Sequence, residues 1–372
     1  MKKQITVLGA GMVGRAIICD LSGIHSVTAV DRDQHALDLC GQYEGVRTIQ
    51  QDLKDKAGIA RLIEDADLVV SAVPGFMGYD TVQTALENGK NIVDISFMPE
   101  DFMELHSLAR RRGVTAIADC GVAPGMPNLL LGYHSRLMEI ERFEYMVGGL
   151  PRERKYPFEY KAPFSPVDVL EEYTRPARVM EHGHVTSKDA MSEPEMVYFE
   201  GLGHLEAFNT DGLRSLLQTM KRIPHMKEKT LRYPGHIGLI KALRAAGFFS
   251  EHPLMVEGQS VRPLDVTNQI LMDQWKLEPG EPEYTIMRII IEGSDGKITY
   301  DLFDEYDKDT RLSSMARTTG FTATAAVNML LERHFEEKWV FPPEMIGKQE
   351  RCFEYIMHYL SERGIHYRKS EG

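Results

Sequence analysis

Ile5-Thr6-Val7-Leu8-Gly9-Ala10-Gly11-Met12-Val13-Gly14 is the stretch on which the fold turns. Ile5, Val7 and Leu8, with the β-branched Thr6 between them, read as a buried strand, and residues 12–21 carry the apolar spacing of an amphipathic helix. Between them lies G-x-G-x-x-G, and each glycine has a reason to be there. Gly9 makes the tight turn, Gly11 lets the backbone approach a pyrophosphate, and Gly14 lets the helix pack against the strand. The pyrophosphate then meets the free N–H groups at the helix start. Ala10, Met12 and Val13 complete the loop. An acidic residue belongs about twenty positions on, at the end of the next strand, where it accepts from the adenosine ribose. Asp31 stands there. A carboxylate at that point repels the 2′-phosphate of NADP, so the expected cofactor is NAD. Arg32 is the competing feature, because an arginine here either stacks on adenine or meets a phosphate.

The rhythm continues outward from this motif. Strands are expected over residues 5–8, 27–30, 46–49, 68–71, 91–94 and 115–118, with crossover helices over 12–21, 33–40, 78–88 and 99–112. Gly89 and Gly113 fall where C-terminal capping glycines belong. This is the signature of a Rossmann doubly wound parallel sheet, whose ligands sit at the carboxyl ends of the strands. Ser71, Ala72, Val73 and Pro74 follow the fourth strand, Asp94 and Ser96 the fifth, and Cys120 the sixth. All seven are therefore expected to line the cofactor.

Past Pro124-Gly125-Met126-Pro127 the pattern changes to longer strands, with Ser294-Asp295-Gly296-Lys297 as a hairpin turn. An α+β substrate domain with a mostly antiparallel sheet is expected over residues 123–310. The Rossmann domain covers 1–122 and is joined by a returning segment, 311–372. Residues 148–166, rich in Pro, Lys and Arg, read as an ordered excursion or a flexible lid.

Composition excludes several classes. The 372 residues carry 43 Lys and Arg against 55 Asp and Glu, a net charge of −12, which disfavours nucleic acid and anionic membrane. No apolar run reaches the roughly 20 residues of a membrane span, and the N-terminus has no h-region of a signal peptide. Cys19, Cys40, Cys120 and Cys352 form no C-x-x-C pair. That pattern fits a reducing, cytoplasmic compartment and no metal site. His182-Gly183-His184 reads as a strand turn.

Seven segments in order resemble the saccharopine dehydrogenase family, in particular its short lysine 6-dehydrogenase-like branch. They are the opening glycine motif, Asp119-Cys120-Gly121-Val122-Ala123-Pro124-Gly125-Met126-Pro127-Asn128, Val147-Gly148-Gly149-Leu150-Pro151, Leu205-Glu206-Ala207-Phe208-Asn209-Thr210-Asp211-Gly212, Thr230-Leu231-Arg232-Tyr233-Pro234-Gly235-His236, Met315-Ala316-Arg317-Thr318-Thr319-Gly320 and Pro342-Pro343-Glu344. The resemblance implies oxidation of a C–N bond by a nicotinamide cofactor. The expected reaction is NAD-dependent deamination of the lysine side chain to allysine, which cyclises. The alternatives are saccharopine or carboxynorspermidine dehydrogenase, acting on a secondary amine, and a non-catalytic NAD-binding sensor.

Amine oxidation needs a base to free the nitrogen lone pair and a fork to hold the carboxylate. Arg232 is the expected fork, with Thr210 and Tyr233 beside the substrate. His236, Asp119 and Asp211 are the candidate catalytic groups, although Asp211 also suits a helix N-cap. No macromolecular partner is expected except a second copy, giving a homodimer joined through the substrate-domain sheet at the apolar strand 284–291.

Overall fold

The computed structural model describes residues 2–163 and 166–372. Of the stretch 148–166, Phe164 and Ser165 lie outside the described residues.

Five strands alternate with helices in the first part: β1 (Gln4–Leu8), α1 (Met12–Ser22), β2 (Ser26–Asp31), α2 (Gln34–Cys40), β3 (Val46–Gln50), α3 (Lys56–Leu62), β4 (Leu68–Ser71), α4 (Gly75–Glu87) and β5 (Ile92–Asp94). After one 3-10 turn, Phe102–Leu105, come α5 (His106–Arg112) and β6 (Ala116–Ile117). The 99–112 helix is thus shorter than expected. Asp101 caps the 3-10 turn by accepting from the Met103 N–H, so the chain enters helix only there. All pairings are parallel, and β1 lies between β2 and β4 in register Val7↔Ala29 and Val7↔Val70. Buried apolar side chains on β1 and β4 explain why these strands read as continuous hydrophobic runs.

The second part contains α6 (Met126–His134), β7 (Ile140–Pro151), α7 (Pro166–Thr174), β8 (Ala177–Glu181), β9 (His184–Lys188), β10 (Glu195–Phe199), β11 (Gly203–Asn209), α8 (Leu216–Thr219), β12 (His225–Arg232) and α9 (His236–Ala245). A small hairpin follows, β13 (Leu254–Val256) and β14 (Gln259–Val261), then α10 (Pro263–Trp275), β15 (Glu283–Gly293) and β16 (Gly296–Glu305). The chain closes with α11 (Ser314–Leu331), β17 (Val340–Phe341), α12 (Pro343–Gly347), α13 (Glu350–Glu362) and β18 (Tyr367–Glu371). The second sheet runs β10-β11-β12-β7-β15-β16-β18, with β8 and β9 attached at β12. It is antiparallel except where β12 meets β7.

The C-terminal residues serve both sheets. β17 adds a seventh parallel strand beside β6, and β18 pairs with β16. Ahead of both strands α11 packs on α1, where a Cβ at Gly320 would lie 3.1 Å from Ala16 Cβ. Two expectations change. Asp211 caps no helix: its carboxylate is held by Arg178, and helix begins only at Leu216. The apolar strand at 284–291 lies between β7 and β16 with both edges paired, so it cannot be an intersubunit seam formed by strand pairing. No helix among the described residues is long and apolar enough to cross a membrane.

Candidate active site

A cleft of about 570 Å³ runs from the glycine turn after β1 across to the face of β12 and β7. The three glycines are held there by different forces. Gly9 has φ +104°, and a Cβ on it would sit 2.4 Å from the Ala72 carbonyl oxygen. A Cβ on Gly14 would sit 2.1 Å from the Gly9 oxygen. Gly11 has nothing within 4 Å and borders the cleft. Its helix, α1, has no side-chain N-cap, which leaves first-turn N–H groups for an anionic ligand. A dinucleotide pyrophosphate therefore fits this cradle. Met12, Val13, Ala72, Val73, Pro74 and Ser96 line the same half.

Asp31 borders the adenosine end with Arg32 and Lys54. Its Oδ2 accepts from the Ala10 N–H at 2.7 Å and its Oδ1 from the Asp33 N–H at 3.0 Å, so the carboxylate is oriented before any ligand arrives. Ala10, Ser71, Asp94 and Cys120 are not in the lining. They lie behind it: Asp94 is buried and holds Ser96 Oγ at 2.9 Å, and burial pushes its carboxyl up to about 7. Burial likewise pushes the Cys120 thiol up to about 12, which makes it a packing residue.

The substrate end is built by strand alternation. β12 presents Glu228, Thr230 and Arg232 to the cleft, and its parallel neighbour β7 presents Tyr145 and Val147, in register Glu228↔Tyr145 and Thr230↔Val147. Thr210, Asp211 and Gly212 close one side, and Glu171 and Glu172 of α7, with Arg175 just past its end, close the other. Thr210, Asp211 and Arg232 thus reach the cleft, whereas Tyr233, His236 and Asp119 do not.

The reasons are local. Tyr233 donates to the Pro151 carbonyl at 2.8 Å, on the far face of the strand end. His236 is buried, 2.9 Å from both the Tyr173 hydroxyl and the Phe158 carbonyl, and burial lowers it to about 3. It stays neutral and braces Tyr173. Asp119, at φ +56°, forms a buried ion pair with Arg214 at 2.6 Å. Burial raises its pKa above the usual carboxylate value, and the Arg214 guanidinium opposes that rise. Arg214 also donates to the Met98 carbonyl and lies over Phe97, a cleft residue, which ties the two sheets together.

Arg232 is less free than a carboxylate fork should be. Its Nε donates to Tyr173, one terminal nitrogen to Leu231 O, and the other to Tyr160 and Glu172. Helix α7 supplies both Tyr173 and Glu172.

Glu228 escaped the sequence reading. It is 4% exposed, and burial pushes its carboxyl up to about 8. Counting back in twos from Arg232 along a strand reaches Thr230 and then Glu228, so a longer strand would have found it. Among the described residues no cluster of His, Cys, Asp and Glu could hold a metal ion.

Residues 121–365 match the family model described as the saccharopine dehydrogenase C-terminal domain, and residues 5–117 match the saccharopine dehydrogenase NADP binding domain. The chain belongs to the saccharopine dehydrogenase family. Curated members similar to it include the NADP(+), L-glutamate-forming saccharopine dehydrogenase of Pyricularia oryzae, 27% identical over 68% of this chain and 60% of that protein. The mouse mitochondrial alpha-aminoadipic semialdehyde synthase is 26% identical over 73% of this chain and 31% of that protein. The chain spans 60% or less of the length of these relatives. Apo saccharopine dehydrogenase (L-Glu forming) from Saccharomyces cerevisiae superimposes with a TM-score of 0.82 at 19% identity, covering 100% of both chains. That likeness is one of fold.

Proposed function

We propose that this family member is a nicotinamide-dinucleotide dehydrogenase that oxidises the carbon beside an amine nitrogen of an amino acid. One observation carries the reading: a single cleft joins an uncapped glycine-turn helix start to a strand face bearing the buried acid Glu228. When bound, the dinucleotide supplies the acceptor for the hydride. The chain's own part is to seat it on the Gly9–Gly14 turn and to place an amine among Glu171, Glu172, Asp211 and Glu228. Such acids suit an ammonium group.

The finer reading is NAD as cofactor, on the position of Asp31, and L-lysine as substrate, oxidised at its side-chain amine. Saccharopine is the second reading, favoured by the name of the saccharopine dehydrogenases among the curated relatives. Purified protein is incubated with NAD or NADP and with L-lysine, L-saccharopine or cadaverine, while the absorbance of reduced nicotinamide is followed. Reduction with lysine but not cadaverine supports the first reading, and reduction with saccharopine alone supports the second. No reduction with any amine would remove both. A homodimer is part of the proposal, and a monomer at micromolar concentration by sedimentation would remove that part.

A further inference from the structure

The cleft acids are not equivalent. Asp211 is held by Arg178 through both carboxylate oxygens, at 2.9 and 2.8 Å. Glu172 pairs with Arg232 at 2.6 Å, and Glu171 pairs with Arg175. Glu228 has no ion pair among the described residues. Its neighbours are the acids Glu172 on α7 and Asp211 after β11, the phenol Tyr145 on β7, and Arg232 on its own strand. The Tyr145 hydroxyl is committed to the Gly212 carbonyl at 2.8 Å, and Arg232 is committed as described.

The two oxygens of Glu228 differ as well. Oε2 accepts from the Thr210 hydroxyl at 2.6 Å and from the Gly212 N–H at 3.0 Å. Thr210 Oγ1 lies 2.8 Å from the Thr230 hydroxyl, so with Thr210 donating to Glu228, Thr230 donates to Thr210. Oε1 has no partner among the described residues. The carboxyl group rests on the Gly212 backbone, where a Cβ would come within 2.6 Å of Glu228 Cδ. One oxygen is anchored and the other is left to work.

We propose that Glu228, through Oε1, takes the proton from the substrate nitrogen in this reaction. The proposal rests on the amine-dehydrogenase reading of the cleft. An N–H bond of the substrate ammonium breaks and an O–H bond forms at Oε1. The freed nitrogen lone pair then forms the C=N bond as the neighbouring C–H bond breaks and its electron pair leaves as hydride to the nicotinamide ring. A proton acceptor works best when its own acidity lies near the working pH, and burial has brought Glu228 to about 8. A carboxylate held by a cation, like Asp211, would be too weak a base.

The test compares wild type with Glu228→Gln, Glu228→Asp and Thr210→Val, using L-lysine and L-saccharopine with the dinucleotide bound. In wild type, kcat/KM should rise with pH through about 8. Glu228→Gln should lose roughly a hundredfold or more in kcat/KM and lose that rise, while dinucleotide affinity stays within about twofold. Glu228→Asp should keep the pH dependence at a lower rate. Thr210→Val removes a donor that favours the ionised form, so the rise should move to higher pH. Calorimetry in two buffers of different ionisation heat gives an independent readout. At neutral pH, amine binding should release a proton from wild type and none from Glu228→Gln. If wild type oxidises an amine and Glu228→Gln matches it in rate and pH profile, the proposal falls alone. An unmoved profile in Thr210→Val would sink it equally, even if Glu228→Gln did not fold. If wild type oxidises neither amine, the reading of the cleft fails and takes this proposal with it.

Discussion

Asp31 and Arg232 were both conspicuous in the chain, and they show how far a single residue can be read. Asp31 ends β2 beside the cleft with its carboxylate already oriented by the Ala10 and Asp33 N–H groups. A hydrogen bond to a charged group contributes about 1.5–3 kcal/mol, so Asp31→Ser should weaken NAD relative to NADP by about tenfold or more. Dissociation constants for both cofactors, before and after the substitution, check this. Wild type that already binds NADP as tightly as NAD would assign the adenosine end to Arg32 and Lys54. Arg232 was expected as a free fork. The structure surrounds it with Glu172, Tyr173 and Tyr160, groups 59 to 72 positions away whose proximity no local pattern announces. Removing one partner of a buried pair costs about 3–5 kcal/mol, because the other is stranded. Arg232→Ala should therefore lower the unfolding free energy by about 3 kcal/mol, near the bottom of that range because the Glu172 side chain is 21% exposed. Urea denaturation measures it, and a midpoint unchanged from wild type would return Arg232 to a purely ligand-holding role.

Among the elements, those with strong periodicity were legible: the Rossmann strands, α1, and the long hairpin of β15 and β16. The turn of the β8–β9 hairpin was read at His182-Gly183-His184, but helix α7 was missed, because its nine residues and short apolar stripe of Val169, Leu170 and Tyr173 give too few turns for a period to stand out. That omission mattered, because α7 brings Glu172 and Tyr173 to the site. Close helix crossings are equally silent in sequence. A Cβ at Gly132 on α6 would lie 2.1 Å from the Glu344 carbonyl oxygen, and one at Gly347 on α12 would lie 2.1 Å from the Leu129 oxygen. The two backbones touch, and no flexible side chain can yield. Gly132→Ala should cost about 3 kcal/mol, at the upper end for overpacking. Gly238→Ala on α9 meets nothing within 4 Å and should stabilise by about 0.5–1 kcal/mol through helix propensity. Thermal unfolding of both variants tests the contrast. Equal shifts would mean that the α6–α12 contact adjusts freely.

For the molecule as a whole, burial of acids sets the pH response. Glu228 and Glu283 are pushed up to about 8 and Asp94 to about 7, each chiefly by burial. A carboxyl raised in the folded state binds its proton there when the unfolded chain has already released it. Its contribution to stability is complete below the unfolded value and is lost as pH rises through the folded one. Two buried histidines act at the other end: His134 is lowered to about 4 and His236 to about 3, so each lowers stability only below its ordinary value of 6.5. Between pH 6.5 and about 8 the raised acids act alone, and the unfolding free energy should fall with rising pH. Urea midpoints across this window check the slope, and Glu283→Gln should flatten it. A flat wild-type profile would show that these carboxyls are ionised throughout.

What the chain determined by itself was whatever follows from neighbours a few positions apart. The glycine spacing, the strand-helix alternation, the acidic residue ending β2 and the family resemblance all belong to that class, and so does the cofactor half of the cleft. Tertiary structure decided the rest. Whether Arg232 is free, whether His236 is wet, and which acid lacks a cation depend on desolvation and on partners brought from distant elements. Those are properties of an environment, and the same Glu that would be an ordinary charge on an exposed strand becomes a weak acid once β7, β12 and α7 close around it.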